Sequence, residues 1–146
     1  MDLEYRKGND KDRKWLFSLY SITMRPHIEK TWGWNENYQN DIFDTNLHPN
    51  KFVIIKNENA DVGAYLVVIE NEKLWLEMLL VKPENQNKGI GSSVISKLKK
   101  QSAHMKRPLK LDVIKANPVL PFYSNLGFTI YDEDRDFFKM EWISKK

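Results

Sequence analysis

Cysteine is absent from the 146 residues, which excludes disulfides, cysteine-ligated metals and any acyl-cysteine intermediate. Histidine is scarce, and His27, His48 and His104 match no metal-ligand spacing, so we expect no metal site. Long apolar runs are also lacking. None approaches the ~20 residues that span a bilayer, and the first residues do not form the apolar core of a signal peptide. We therefore expect a cytoplasmic protein with no membrane partner.

The composition is that of a globular protein with a substantial core. Hydrophobic residues make up 41% of the chain, and its length suits a single domain over residues 1–146. The formal net charge of +3 is mild for a nucleic-acid-binding protein. The basic residues that such a protein would use are Lys97, Lys99, Lys100, Lys106, Arg107 and Lys110. Because no aromatic residues are interleaved with them, we favour a solvated helix face over a nucleic-acid site.

Alternating and continuous apolar runs predict seven strands. They lie near residues 3–6, 52–55, 62–69, 74–81, 109–113, 128–131 and 137–142. Helical spacing predicts about four helices, at residues 15–22 with a stop at Pro26, at 38–43, at about 89–105, and between Pro118 and Asn125 with closure by Gly127. Short polar connections after the second and third strands favour hairpins. We therefore expect an α/β (α+β) protein with a mixed, mostly antiparallel sheet.

The segment Gln86-Asn87-Lys88-Gly89-Ile90-Gly91 follows a predicted strand and leads into a predicted helix. Glycines let the backbone approach a ligand, and a helix N-terminus offers unpaired N–H groups to an anion, so the segment suits a phosphate group. A tight strand-to-helix turn without a ligand is the alternative for the glycines alone. Two common nucleotide motifs do not fit, because Ser92-Ser93 replaces the Lys-Ser/Thr of a Walker loop and Val94 replaces the third glycine of a Rossmann turn.

Two longer patterns resemble the GNAT superfamily of N-acetyltransferases. The residues from Val81 to Gly91 match the acetyl-CoA motif of that family, Gln/Arg-x-x-Gly-x-Gly/Ala after a Val-x-Pro strand end. The residues from Asn117 to Phe128 match its second element, Asn-Pro-x-x-x-x-Tyr-x-x-Leu-Gly-Phe. The resemblance implies a GNAT fold with splayed central strands, and an acyltransferase that uses acetyl-CoA.

The resemblance also implies which residues bind the coenzyme. Backbone N–H groups of the turn would hold the pyrophosphate, and the strand before the turn would bond the pantetheine arm through its backbone. Lys88 would add a cationic contact. The Asn117 side chain would bind the same arm, although Asn before Pro is also an ordinary turn starter. The implied coenzyme-binding residues are Leu79, Leu80, Val81, Gln86, Asn87, Lys88, Gly89, Ile90, Gly91, Ser92 and Asn117.

Two residues are candidates for the chemistry. The resemblance implies that Tyr123 lies near the coenzyme sulfur and assists the departing thiolate, whereas the residues alone suggest packing. A phenol pKa of ~10 exceeds the ~8.5 of a thiol, so a hydrogen bond to the thiolate describes the role of Tyr123 better than full proton donation. Glu77 stands in an apolar strand, and a buried carboxylate there would suit a general base. The alternative for Glu77 is a solvent-facing residue.

The resemblance implies an acceptor site walled by the first two helices and the last hairpin. Residues 29–44 and 132–136 each contain four acids against one base, a net charge of −3. The first of these segments holds the candidate substrate residues Glu29, Trp32 and Trp34. Carboxylates and indole faces both favour a cation, so we predict a cationic primary amine, carried by a small molecule or a peptide. The alternative is that the tryptophans pack and the acids are solvated loop ends.

We predict direct transfer in a ternary complex, since the chain has no cysteine to carry the acyl group. A primary amine must first lose a proton, which costs roughly 4.6 kcal/mol at pH 7, so Glu77 or a water relay should assist. An acyl-CoA-binding sensor or interaction protein without turnover is the alternative on the same fold. A homodimer is left open.

Overall fold

The computed structural model describes residues 1–145, which form the predicted seven strands and four α-helices. The strands are β1 (Leu3–Lys7), β2 (Val53–Asn57), β3 (Ala60–Ile69), β4 (Leu74–Val81), β5 (Leu109–Ile114), β6 (Thr129–Glu133) and β7 (Phe137–Trp142). The helices are α1 (Arg13–Trp32), α2 (Glu36–Phe43), α3 (Ile90–Met105) and α4 (Leu120–Asn125). The strands form one mixed sheet in the order β1-β2-β3-β4-β5-β7-β6.

The central strands β4 and β5 run parallel and pair over a short distance. Their pairing joins Leu74 to Leu109 and Trp75 to Lys110, and it ends there. Both strands continue beyond these pairs, β4 to Val81 and β5 to Ile114. The splay of the central strands stays a prediction. The neighbours β1 and β2, β2 and β3, β5 and β7, and β6 and β7 are antiparallel.

The first helix is longer than predicted, because α1 continues through Pro26 to Trp32. A proline inside a helix removes one hydrogen bond, here to the carbonyl of Ile22, and costs ~3 kcal/mol. Ile22 is 58% exposed and Pro26 is exposed as well, so water can satisfy the freed carbonyl. Burial of Leu19 before the proline and of Ile28 after it holds the two halves in one helix. The predicted stop at Pro26 is therefore wrong.

Internal contacts divide the chain into two compact units. The first unit consists of Met1–Leu66 and Met78–Ile90, and the second consists of Val67–Glu77 and the residues from Gly91 on. The strands β3 and β4 each supply residues to both units. A single domain over residues 1–146 stays a prediction.

An aromatic cluster forms much of the core of the first unit. The ring of Phe43 in α2 lies 5.2 Å from that of Phe17 and 5.1 Å from that of Tyr20, both in α1, and 6.2 Å from that of Phe52. The side chain of Asn35 caps α2 by accepting a hydrogen bond from the N–H of Tyr38 at 2.9 Å. These contacts fix α1 and α2 against the start of β2.

The core of the second unit lies between α3 and one face of its strands. Leu109, Leu111 and Val113 alternate along β5 and are buried. The ammonium of Lys99 in α3 lies 5.2 Å from the ring of Trp142, and Trp142 pairs with Leu109. Because directly paired residues of antiparallel strands share a face, α3 covers the face that carries Leu109. Lys110 and Asp112 alternate with these three residues along β5, so they lie on the opposite face.

Candidate active site

The predicted coenzyme turn, residues 86–91, begins close to the end of β4. The side chain of Gln86 donates from Nε2 to the Val81 carbonyl at 3.0 Å and ties the turn to the strand. Asn87 and Gly89 have φ angles of 62° and 86°, in the left-handed region that side chains with a Cβ rarely adopt. α3 begins at Ile90, so the last two residues of the turn form the start of the helix. A helix start has N–H groups without intrahelical acceptors, so the segment has the backbone of an anion-binding turn.

Gly91, the second residue of α3, has a packing role that the sequence did not predict. A Cβ at this position would lie 3.0 Å from Cζ of Phe122 in α4. The glycine therefore lets the Phe122 ring pack against the first turn of α3. Ser92 follows on the same helix and is half-buried.

Tyr123 lies in α4 beside the same phenylalanine and is 9% exposed. The rings of Phe122 and Phe128 meet it edge-on, with centroids at 5.0 and 5.6 Å. Burial raises the pKa of Tyr123, so its phenol stays protonated at physiological pH. Within residues 1–145 its hydroxyl has no hydrogen-bond partner. The Tyr123 hydroxyl is thus a neutral hydrogen-bond donor that has no acceptor within residues 1–145.

Lys99 holds the end of α4. Its ammonium donates a hydrogen bond to the carbonyl of Leu126, at the C-terminus of that helix, where a positive charge is favourable. Desolvation lowers the pKa of Lys99. The prediction of a solvated lysine face is therefore wrong for Lys99.

Other basic residues of that run also have partners. Arg107 donates to the Glu70 carbonyl at 3.0 Å, and Lys110 pairs with Glu141 at 3.4 Å.

The end of β4 is the segment whose backbone is predicted to contact the pantetheine arm. Leu80 is buried, whereas Leu79 and Val81 are half-buried. A Cβ at Gly63 of β3 would lie 2.3 Å from the Leu80 carbonyl oxygen, so the two strands approach closely at that glycine. Asn117 follows β5, is half-buried, and donates its backbone N–H to the Ile114 carbonyl at 2.8 Å.

Glu77 is exposed, which agrees with the solvent-facing alternative for this residue. The physical reason is the alternation of β4, in which Leu74, Leu76 and Leu80 face the core and Glu77 faces the other way.

Asp112 of β5 was not among the residues predicted from the sequence. It lies between Leu111 and Val113, so it is also a single acid in an apolar strand, and its side chain is only 22% exposed. The apolar residues on both sides of Asp112 are the sequence pattern that could have pointed to it.

Most carboxylates of the first acidic segment, residues 29–44, form an ion pair or a hydrogen bond with a neighbouring side chain. Glu29 pairs with Arg25 at 3.3 Å, and Arg13 pairs with Asp44 at 2.8 Å. The indole N–H of Trp34 donates to the carboxylate of Glu36 at 2.7 Å.

The two candidate tryptophans differ in their surroundings. The ring of Trp34 packs 5.8 Å from that of Tyr20, and the guanidinium of Arg25 stands 5.4 Å from its centre. These contacts agree with the packing alternative for Trp34. Trp32, at the end of α1, is 47% exposed.

The second acidic segment, residues 132–136, builds the turn between β6 and β7. The Asp134 carboxylate accepts hydrogen bonds from the N–H groups of Asp136 and Phe137 at 3.0 and 2.8 Å. Lys115 pairs with Glu133, and Arg135 pairs with Asp136. Much of the charge counted from the sequence is therefore paired locally.

A family model for the acetyltransferase (GNAT) domain matches residues 48–130, more than half of the chain. The chain belongs to the GNAT acetyltransferase family. Membership confirms the predicted family and the predicted enzyme class, an acyltransferase. Comparison with curated proteins finds no match.

Solved structures share this GNAT fold along nearly the whole chain. PaiA N-acetyltransferase from Thermoplasma acidophilum, in complex with coenzyme A, is 22% identical with a TM-score of 0.78, covering 99% of this chain and 100% of that one. An acetyltransferase from Thermus thermophilus is 16% identical with a TM-score of 0.77, covering 99% and 98%. Naa50 from Arabidopsis thaliana, in complex with the bisubstrate analogue CoA-Ac-MVNAL, is 18% identical with a TM-score of 0.68, covering 97% and 99%. These likenesses confirm the predicted fold.

Two further properties of this GNAT chain concern the described residues alone. Within residues 1–145 there is no group of three or more His, Asp or Glu side chains that could hold a metal ion. Within the same range, no helix is both long enough and apolar enough to span a bilayer.

Proposed function

We propose that the protein transfers the acetyl group of acetyl-CoA to a primary amine by direct attack in a ternary complex. The observation that carries this proposal is the turn at residues 86–91, whose left-handed residues lead directly into the start of α3 in a chain of the GNAT family. A turn of this kind binds a phosphate through backbone N–H groups. The PaiA and Naa50 structures with coenzyme A or a coenzyme A analogue support the same donor.

Backbone groups bind the coenzyme. The N–H groups from Asn87 to Ser92 hold the pyrophosphate, and the exposed ammonium of Lys88 adds a charge. Leu79, Leu80 and Val81 bond the pantetheine arm through their backbone, and Asn117 contributes its side chain. Gln86 acts indirectly, since its amide already donates to the Val81 carbonyl and shapes the turn.

Tyr123 stabilises the departing thiolate by donating a hydrogen bond. Burial raises its pKa, so full proton transfer to a thiolate is further uphill than for an ordinary tyrosine, and the phenol acts as a donor that keeps its proton. The edge-on packing of Phe122 and Phe128 fixes the ring. Water then protonates the released thiolate.

The acceptor is a primary amine with a positive charge, borne by a small molecule or a peptide N-terminus. Asp41 and Asp132, which have no ion-pair partner within residues 1–145, and the exposed indole of Trp32 support a cationic acceptor. Glu29 and Trp34 contribute less to this proposal, because Arg25 already contacts both.

The test is a product assay with acetyl-CoA and a panel of polyamines, aminoglycosides, basic peptides and neutral amines. Release of coenzyme A together with an acetylated amine supports the transferase. Turnover confined to neutral or acidic amines would overturn the cationic acceptor. A rise in Tm with acetyl-CoA but no product from any amine would instead identify an acyl-CoA sensor on the same fold.

A further inference from the structure

Asp112 of β5 is a carboxylate whose position the fold does not explain. Its Oδ1 is buried without a hydrogen-bond partner, and its Oδ2 lies 3.8 Å from Nζ of Lys139, beyond hydrogen-bond distance. Leaving a largely buried charged group without hydrogen bonds costs free energy of folding. Buried polar groups are normally satisfied, so this exception calls for an explanation outside folding.

The residue lies on the face of the sheet that α3 does not cover. Leu111 and Val113 point toward the core under α3, and Asp112 between them points the other way. The antiparallel register sets Lys139 of β7 beside Asp112 on this face. The pairing of β5 with β4 joins Trp75 to Lys110, two residues before Asp112.

Within residues 1–145, no lysine near Asp112 forms an ion pair with this carboxylate alone. Lys139 is shared, because its Nζ lies 3.8 Å from Asp112 and 3.9 Å from Asp134 of the β6–β7 turn. Lys110, on the same face, already pairs with Glu141. Desolvation raises the pKa of Asp112 and Asp134 adds to the rise, while Lys139 and the more distant Lys73 oppose it.

The proposed transferase needs a group that receives a proton from the attacking nitrogen, and Asp112 is less exposed than Glu77, which lies on the same face of the sheet. Resting on that proposed function, we infer that Asp112 binds the acceptor amine and is the general base of the transfer. The cationic acceptor first loses one proton to water, and the neutral amine then donates an N–H to the accessible Oδ2. As the N–C bond to the acetyl carbon forms, the nitrogen becomes acidic and the carboxylate takes one proton.

The step balances without a further reactant. The C–S bond breaks, its electron pair stays on sulfur, and the thiolate accepts the hydrogen bond of Tyr123 until water protonates it. Asp112 returns its proton to solvent. A general base works best when its pKa approaches the working pH, so partial desolvation improves this carboxylate as a proton acceptor.

The chain offers a matched control in Glu141, which lies on the same face, is likewise 22% exposed, and has one lysine neighbour. We expect Asp112→Asn to lower kcat about 10²-fold and Glu141→Gln to change it less than twofold. The rise in Tm caused by coenzyme A should be equal in both variants. Asp112→Glu should recover part of the loss. An Asp112→Asn variant that keeps more than a third of the wild-type kcat would overturn the inference, and so would an equal loss in Glu141→Gln.

A second variant decides the matter if Asp112→Asn does not fold. Lys139→Met removes the cation that favours the ionised carboxylate, so the pKa of Asp112 rises and the acid limb of the kcat profile moves to higher pH. An unmoved limb would contradict a role for Asp112 as the base. A wild-type protein without turnover would overturn the proposed function itself, whereas wild-type turnover with unaffected variants would overturn this inference alone.

Discussion

The coenzyme turn and the first acidic segment, residues 29–44, are both short polar stretches, but different parts of the chain carry their predicted functions. In the turn, the backbone carries the function, through two left-handed residues and the start of α3. In the acidic segment, side-chain charge carries it, and arginines of α1 neutralise two of the four carboxylates. In this turn, local sequence sets the backbone conformation, whereas the effect of a charge depends on partners that the fold supplies.

This difference predicts unequal sensitivity to mutation. Single changes near the donor should lower kcat or coenzyme affinity about tenfold or more, because no other group can replace those that are changed. Single changes in the acidic segment should be mild, since surface ion pairs contribute less than about 1 kcal/mol.

The largest effect is expected from Tyr123→Phe. Removing the hydroxyl should lower kcat about 10²-fold and leave coenzyme affinity and Tm unchanged, because within residues 1–145 this hydroxyl has no hydrogen-bond partner. Steady-state kinetics and the Tm rise with coenzyme A measure the two quantities. An unchanged kcat would remove Tyr123 from the mechanism.

Tyr20 provides the matched control in the first unit. It is also buried, its pKa is raised by burial to about 12, and its hydroxyl donates to Gln39 at 2.8 Å. Tyr20→Phe should therefore cost about 1 kcal/mol of stability and leave kcat unchanged, the opposite of the expected result for Tyr123.

The sequence predicted the features that local chemistry controls. Alternating apolar residues located all seven strands, and two spaced motifs located the turn and α4. It failed at Pro26, because the decision to continue α1 depends on Ile28 reaching the core, which no local pattern shows. For Glu77 the sequence left a buried and a solvent-facing position open. Only the packed sheet decides between them, since Glu77 is exposed whereas Asp112, on the same face, is 22% exposed.

The next largest effect is expected on the stability that Asp12 contributes. This carboxylate is buried and pairs with Arg6, in contrast to the exposed ion pairs of the acidic segment. Hydrogen bonds from Arg6 above all, and also from Trp15 and the Asn9 backbone, outweigh desolvation and lower the pKa of Asp12 to about 2. The folded pKa lies below the unfolded value, so the stabilisation is present above pH ~4 and is lost as pH falls through 2. Urea titrations across this range should show a loss of roughly 2 kcal/mol.

The comparison variants for this measurement are Asp12→Asn and Asp44→Asn. Asp12→Asn should be less stable at pH 7 and should lack this part of the acid dependence. Asp44 pairs with Arg13 but is 61% exposed, so its loss should change stability by less than about 1 kcal/mol. Equal losses in the two variants would mean that burial does not distinguish the pairs.

A smaller effect is expected from Gly89→Ala, with Gly33→Ala as its partner. Both glycines have positive φ, 86° in the turn and 83° at the end of α1, so alanine strains either site by about 1–3 kcal/mol. Both variants should have a lower Tm. Coenzyme A affinity, measured by calorimetry, should fall about tenfold for Gly89→Ala alone. A similar fall for Gly33→Ala would contradict the assignment of the turn as the phosphate site.

The smallest effect separates an acid of residues 29–44 that has an arginine partner from one that has no ion-pair partner. Asp41 has no ion-pair partner within residues 1–145, whereas Glu29 pairs with Arg25. Asp41→Asn should lower kcat/KM for a polyamine about threefold at low salt, and Glu29→Gln should leave it unchanged. Because exposed charges act through a screened field, about 0.5 M salt should abolish the difference. A threefold loss in both variants would mean that Arg25 does not compensate Glu29, and the charge counted from the sequence would then act in full on the acceptor.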